Sequence, residues 1–190
     1  MPANNSQHDT YITEDEYLAG EKKAGTRHEY VNGHVYAMAG SSKRHNRIAR
    51  NFITSMSEVA GKQGCETYFS DIKVRAEKHK TYYYPDITLS CDDDDENEYF
   101  LEKPCLIVEV TSTSTMRKDY LEKALSYQSI DSLQAYLIVA QDKPQVDMLV
   151  RNADKSWELQ QFSELDNELI LPCLGMPLTL QEIYSGVEFD

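Results

Sequence analysis

No apolar run in this chain can cross a bilayer. The longest, such as Tyr136 to Ala140, fall far short of the ~20 residues a spanning helix needs. The opening stretch MPANNSQHDTYITEDE lacks an apolar h-region, so no secretory signal is expected there, and a cytoplasmic location follows as the expectation. CxxC pairs are missing as well. The four cysteines, Cys65, Cys91, Cys105 and Cys173, are widely scattered, a pattern that argues for reduced thiols rather than a zinc site or a disulfide framework. No internal repeat is visible, which excludes a solenoid. An excess of base is also lacking: a net charge of −13 argues against a protein that coats nucleic acid through bulk electrostatics.

What is present describes one folded domain. A chain of 190 residues can bury most of the surface its unfolded form exposes. Apolar residues make up 41% and tyrosines number 13, enough to build a core. Charge is unevenly spread. Residues 92–102 hold seven acids and no base, whereas residues 42–57 hold Lys43, Arg44, Arg47 and Arg50 and no acid.

In chain order, residues 1–10 read as a disordered leader and residues 11–190 as a single domain. Thr13 with Glu16 fits a capping box opening a helix to about Lys23. Asn32-Gly33 between two strand-like runs signals a type I′ hairpin. Ser41 or Ser42 then caps a helix with Ile48, Phe52, Met56 and Val59 on one face, ending at Gly61. ETYFSDIKVRA and YYYPDITLS each read as a strand, and DDDDENE as a solvated loop. That loop fails as a calcium loop because Asn97 and Lys103 stand where an EF-hand needs glycine and glutamate. Pro104 to Val110 has the near-continuous apolar character of a central strand covered on both faces. A helix from Met116 to about Gln128 follows, then strands over Leu133–Ala140, Gln145–Arg151 and Ser156–Phe162. A short strand and a helix end the chain. The fold class expected is α/β (α+β), with a mixed central β-sheet flanked by helices.

Three charges sit where charge is hard to explain. Asp86 follows a proline at the head of an apolar strand. Glu109 interrupts the run Leu106-Ile107-Val108-Glu109-Val110, on the face of Cys105 and Ile107. Lys123 shares the helix stripe of Tyr120 and Tyr127, although Asp119 could pair with it across an exposed turn. A buried carboxylate needs a cation, a partner or a proton, and a divalent metal is one such partner. Asp86 could supply the second oxygen ligand that Mg²⁺ or Mn²⁺ prefers. The blander reading makes Asp86 a turn residue and Glu109 half of a core ion pair.

The segments YYYPDITLSC, PCLIVEVTSTST and RKDYLEKALSYQSIDSLQAYLIV, with YLAGEKKAGTRHEYVNGHVYAMAGSSKRHNRIARNF upstream, resemble the bacterial family described as "putative restriction endonuclease", which has the PD-(D/E)xK nuclease fold. The resemblance runs from about Tyr11 onward. It implies a metal-dependent phosphodiesterase core with Asp86 and Glu109 as metal ligands. One departure stands out: Thr111 replaces the lysine that the superfamily carries two residues after the glutamate. The resemblance assigns that role to Lys123 on the following helix. It also matches Glu29, a further candidate metal ligand, and His45, which with Arg44 and Arg47 near a helix N-terminus is placed to meet a phosphate. Asp71 and Lys73 are a possible reserve acid and lysine, although edge-strand surface charge is their default reading.

The expectation is therefore a Mg²⁺- or Mn²⁺-dependent nuclease acting on DNA, with Asp86, Glu109 and Lys123 as the catalytic set. By analogy with the fold it would be a homodimer. The rival expectation is a non-catalytic, self-associating or partner-binding module, in which the same three residues form a buried ion-pair network.

Overall fold

The computed structural model describes residues 11–95, 97–112 and 119–189, with the backbone alone at Asp119 and Tyr120. The leader expected over residues 1–10 and the helix start expected at Met116 lie outside the described residues.

Local sequence signals set the first elements. α1 (Glu14–Glu21) opens on a complete capping box, Thr13 Oγ1 accepting the Glu16 N–H and the Glu16 carboxylate accepting the Thr13 N–H. β1 (His28–Val31) and β2 (His34–Ala37) pair through Asn32 and Gly33, whose φ values of 44° and 93° are both positive, as a type I′ turn requires. Gly33 is needed twice over, because a Cβ there would fall 2.2 Å from the Tyr11 ring. α2 (Lys43–Lys62) is capped by Ser42, whose Oγ accepts the His45 N–H at 3.0 Å. Its inner face buries Ile48, Phe52 and Met56, each worth roughly 1.5–3 kcal/mol.

Two segments that read as single strands are each broken in two. The first gives β3 (Glu66–Phe69) and β4 (Lys73–Ala76), turning at Ser70 with φ 53°. The second gives β5 (Thr81–Tyr83) and β6 (Ile87–Ser90), interrupted by Tyr84-Pro85-Asp86. A left-handed residue and a proline without an N–H each end a ladder, and alternating hydrophobicity does not report either. β7 (Phe100–Leu101) and β8 (Leu106–Thr111) come next. A π-helical stretch, Asp119–Lys123, then leads into α3 (Ala124–Gln128). β9 (Ala135–Ala140), β10 (Val146–Arg151), β11 (Trp157–Phe162), β12 (Glu168–Leu171), β13 (Met176–Thr179) and α4 (Leu180–Ile183) complete the chain.

The architecture is mixed α and β as expected, but the breaks at Ser70 and Pro85 move the chain between two sheets. The larger has the order β11-β10-β9-β8-β6-β3 and the smaller β2-β1-β5-β4-β7, with β12-β13 as a separate hairpin. Only β8 and β9 run parallel within the larger sheet. One face of that sheet packs Leu106, Val108 and Val110 against α2 and the β12–β13 hairpin. The other packs Ile107 and Tyr136 against Tyr83 of β5 and Tyr127 of α3. β8 is therefore covered on both sides, as its apolar run implied.

The cysteines overturn the expectation of separate reduced thiols: Cys65 is bonded to Cys91 and Cys105 to Cys173. Sequence spacing could not show this, because β3–β6 register sets Cys65 across from Cys91, and the β12–β13 hairpin carries Cys173 back to the base of β8. The acidic loop ties itself down: Asp95 accepts the Glu102 and Lys103 N–H groups, and the Asp94 N–H and Lys103 hold the Asp92 carboxyl below its usual range. Among the described residues no helix is long and apolar enough to cross a membrane.

Candidate functional site

Sheet register brings the two acids together. β6 and β8 pair antiparallel with Ile87 opposite Val108, and Asp86 immediately precedes β6 at the end of that ladder where β8 carries Glu109. Pro85 ends the β5 ladder just before Asp86, which leaves that carboxylate at the mouth of the sheet rather than inside it. Asp86 Oδ2 accepts the Val110 N–H at 2.7 Å, and Oδ1 lies 2.9 Å from His45 Nε2. Asp86 is thus fixed from both sides, by the backbone of β8 and by the first turn of α2.

Glu109 is buried and engaged. Its Oε1 accepts from Lys123 Nζ at 2.8 Å and from the Tyr127 hydroxyl at 3.1 Å. Burial first, and then the Glu109 charge, push the Tyr127 phenol well above 10, so it stays a donor. Lys123 Nζ also lies 2.8 Å from Glu29 Oε1 on β1 and 5.3 Å from the centre of the Tyr83 ring. The lysine therefore points inward, bridging two carboxylates with a ring beneath it, rather than across an exposed turn. A π-helical turn carries it, a local form frequent at functional positions.

These side chains line an open pocket of about 410 Å³, with Glu29, His45, Asp86, Glu109 and Lys123 on its wall and Tyr84 at its edge. Three carboxylates against one ammonium leave a formal charge of −2 when His45 is neutral. Thr111 Oγ1, two residues after Glu109 on β8, is buried and finds no hydrogen-bond partner among the described residues. The pocket thus combines surplus negative charge with one fixed cation.

Arg44 and Arg47 do not join this group. They line a separate cleft with Lys43, where Arg47 Nη1 donates to the Gly186 carbonyl. Successive positions on a helix point 100° apart, so sharing the first turns of α2 with His45 does not bring the arginines to the same wall. Asp71 is exposed and paired with Arg27 at 2.8 Å. Lys73 is buried beside Tyr84, and that burial lowers its pKa.

The model of the Uma2 family, described as "Putative restriction endonuclease", matches residues 14–181. The chain belongs to the Uma2 family. Two relatives of this Uma2 chain come from Synechocystis sp., both described as uncharacterized proteins. One is 32% identical over 179 residues, covering 94% of each chain; the other is 29% identical over 154 residues, covering 80% of this chain and 87% of the relative. A solved structure described as "a putative nuclease belonging to DUF820", from Anabaena variabilis, matches with a TM-score of 0.72 at 17% identity, covering 93% of this chain and 99% of that one. At that identity the likeness shows a shared fold.

Sequence reasoning on the Uma2 chain passed over Tyr83 and Gln141, and it placed Tyr127 on the stripe of Lys123 without giving it a role at the site. Gln141 accepts from Ser42 Oγ at 2.7 Å across the pocket rim, and nothing in the sequence pointed to that contact.

Proposed function

We propose that this Uma2 chain hydrolyses phosphodiester bonds of DNA with the help of a divalent cation, Mg²⁺ or Mn²⁺, held by Asp86 and Glu109. The observation that carries the reading is that these two acids, from the start of β6 and from β8, line one open pocket of net negative charge. The donor set fits a hard cation: Mg²⁺ takes one or two carboxylates and fills its remaining positions with waters and substrate phosphate. Glu29, 2.8 Å from Lys123 Nζ, is a candidate third oxygen donor.

Bound there, the cation would act as a Lewis acid on the phosphate and lower the pKa of a water. Everything else is done by the chain. Val110 N–H and His45 hold the Asp86 carboxylate in one orientation. Tyr127 and Lys123 hold Glu109. Lys123 donates to the attacking water and offsets the charge that gathers on the phosphate as the new P–O bond forms and the opposite one breaks.

A second reading has its own support: Lys123 is 2.8 Å from both Glu29 and Glu109, which is also the geometry of a closed ion-pair network in a non-catalytic binding module. Calorimetric titration of the metal-free protein with Mn²⁺ separates the two. The nuclease reading requires a site in the wild type that Glu109→Ala abolishes, together with metal-dependent cleavage of plasmid DNA. Wild-type protein that takes up no Mn²⁺ would leave only the binding module.

A further inference from the structure

All four cysteines of the chain meet at one point, at the end of β6 and β8 opposite the acidic pocket. Cys65 and Cys91 extend the β3–β6 register and are bonded, with Cα atoms 4.1 Å apart. Cys105, just before β8, is bonded to Cys173 in the turn between β12 and β13. The two bonds touch: Cys91 Sγ lies 3.6 Å from Cys105 Sγ, which is sulfur–sulfur contact. Access is unequal. Cys91 is exposed, Cys173 is half-buried, and Cys65 and Cys105 are each only 6% exposed.

We propose that these residues form a thiol–disulfide exchange site, in which Cys91 receives reducing equivalents from an external dithiol and hands them to the buried Cys105–Cys173 bond. A thiolate of the dithiol attacks Cys91 Sγ; the Cys65–Cys91 bond breaks, and Cys65 leaves as a thiolate that takes a proton from water. The second thiol of the reductant attacks the mixed disulfide, so the reductant departs as its own disulfide and Cys91 is released as a thiolate. That thiolate attacks Cys105 Sγ beside it. A Cys91–Cys105 bond forms, the Cys105–Cys173 bond breaks, and Cys173 leaves and is protonated. One dithiol has been oxidised, two cysteine thiols have been formed, and one disulfide has moved from Cys105–Cys173 to Cys91–Cys105.

The moved bond matters to the fold. Cys105–Cys173 ties the β12–β13 hairpin to the strand that carries Glu109, and the segment after that hairpin grips α2, where Asn51 donates to the Ile183 and Ser185 carbonyls. Exchange releases that covalent tie. The proposal does not depend on the nuclease reading.

The test is a disulfide map by mass spectrometry on the full chain, purified without reductant, acid-quenched and alkylated during titration with dithiothreitol. Wild type should show Cys65 becoming free first, followed by a peptide pair joined through Cys91 and Cys105. In Cys91→Ser the reduction of Cys105–Cys173 should slow at least tenfold. A second variant needs no reductant: in Cys65→Ser the unpaired Cys91 should compete with Cys173 for Cys105, giving two disulfide isomers in one folded sample. Unchanged reduction of Cys105–Cys173 in Cys91→Ser, or a single Cys105–Cys173 isomer in Cys65→Ser, overturns the proposal. So does a wild type purified with four free thiols, or with one equivalent of zinc that those thiols hold.

Discussion

Replacing Lys123 with methionine keeps the volume of the side chain and removes its charge. In the wild type the ammonium sits 2.8 Å from one oxygen of Glu29 and 2.8 Å from one of Glu109, on side chains only 10% and 7% exposed. Two oxygens held at that distance by one nitrogen are at most about 5.6 Å apart. At an effective dielectric near 20, two bare carboxylates at roughly 5 Å repel by about 3 kcal/mol. Loss of one partner from a buried ion pair costs about 3–5 kcal/mol in general. The two routes agree, so Lys123→Met should destabilise the fold by about 3–5 kcal/mol at pH 8. Adding Glu29→Gln to the variant should recover part of the loss, because it removes one of the two facing charges. Urea unfolding followed by circular dichroism measures this directly. A loss below about 1 kcal/mol at pH 8, or no recovery in the double variant, would show that Lys123 does not separate two charged acids.

Gly33 and Tyr83 carry two further outcomes. Gly33→Ala forces a left-handed alanine into the β1–β2 turn and a Cβ into the Tyr11 ring, costing about 1–2 kcal/mol. A differential scanning measurement should find Tm lower by about 3–6 °C. Stability should also fall in alkali. Burial pushes the Tyr83 phenol up to about 12 from 10, and a pKa raised in the folded state gives stability that is complete below pH 10 and lost as pH rises toward 12. The loss from Tyr83 should approach roughly 3 kcal/mol. Urea midpoints read alongside tyrosinate absorbance between pH 9 and 12 would show it; midpoints flat across that range contradict the burial argument.

The site was legible where charge broke an apolar pattern. Glu109 among the four apolar neighbours of its run, and Asp86 after Pro85, announced themselves because buried charge is expensive, and the structure sets both on the wall of one pocket. Lys123 was half legible: its stripe was visible, but only the tertiary fold decides between Asp119 and the two glutamates. Capping at Thr13 and the turn at Asn32-Gly33 rest on interactions within four residues and could be read directly. The split into two sheets could not, because alternation continues through Ser70 and Pro85 while the chain changes partners. The cysteine pairing was misread for the same reason. Pairing between strands 26 residues apart in sequence is a property of register, and spacing carries no record of it. Arg44 and Arg47 are neighbours of His45 in sequence, and the helix carries them to a different cleft.

The π-helical turn at Asp119–Lys123 gives the pocket two kinds of wall. Glu109 lies within β8, and Asp86 is tied to the same strand by the Val110 N–H, so both acids follow the sheet. Lys123 obeys a different constraint. A π turn is an α-helix with one residue too many, and Lys123 stands where that turn passes into ordinary α winding. The acids thus follow the strands that carry them, and the lysine follows a helical insertion that the sheet does not control.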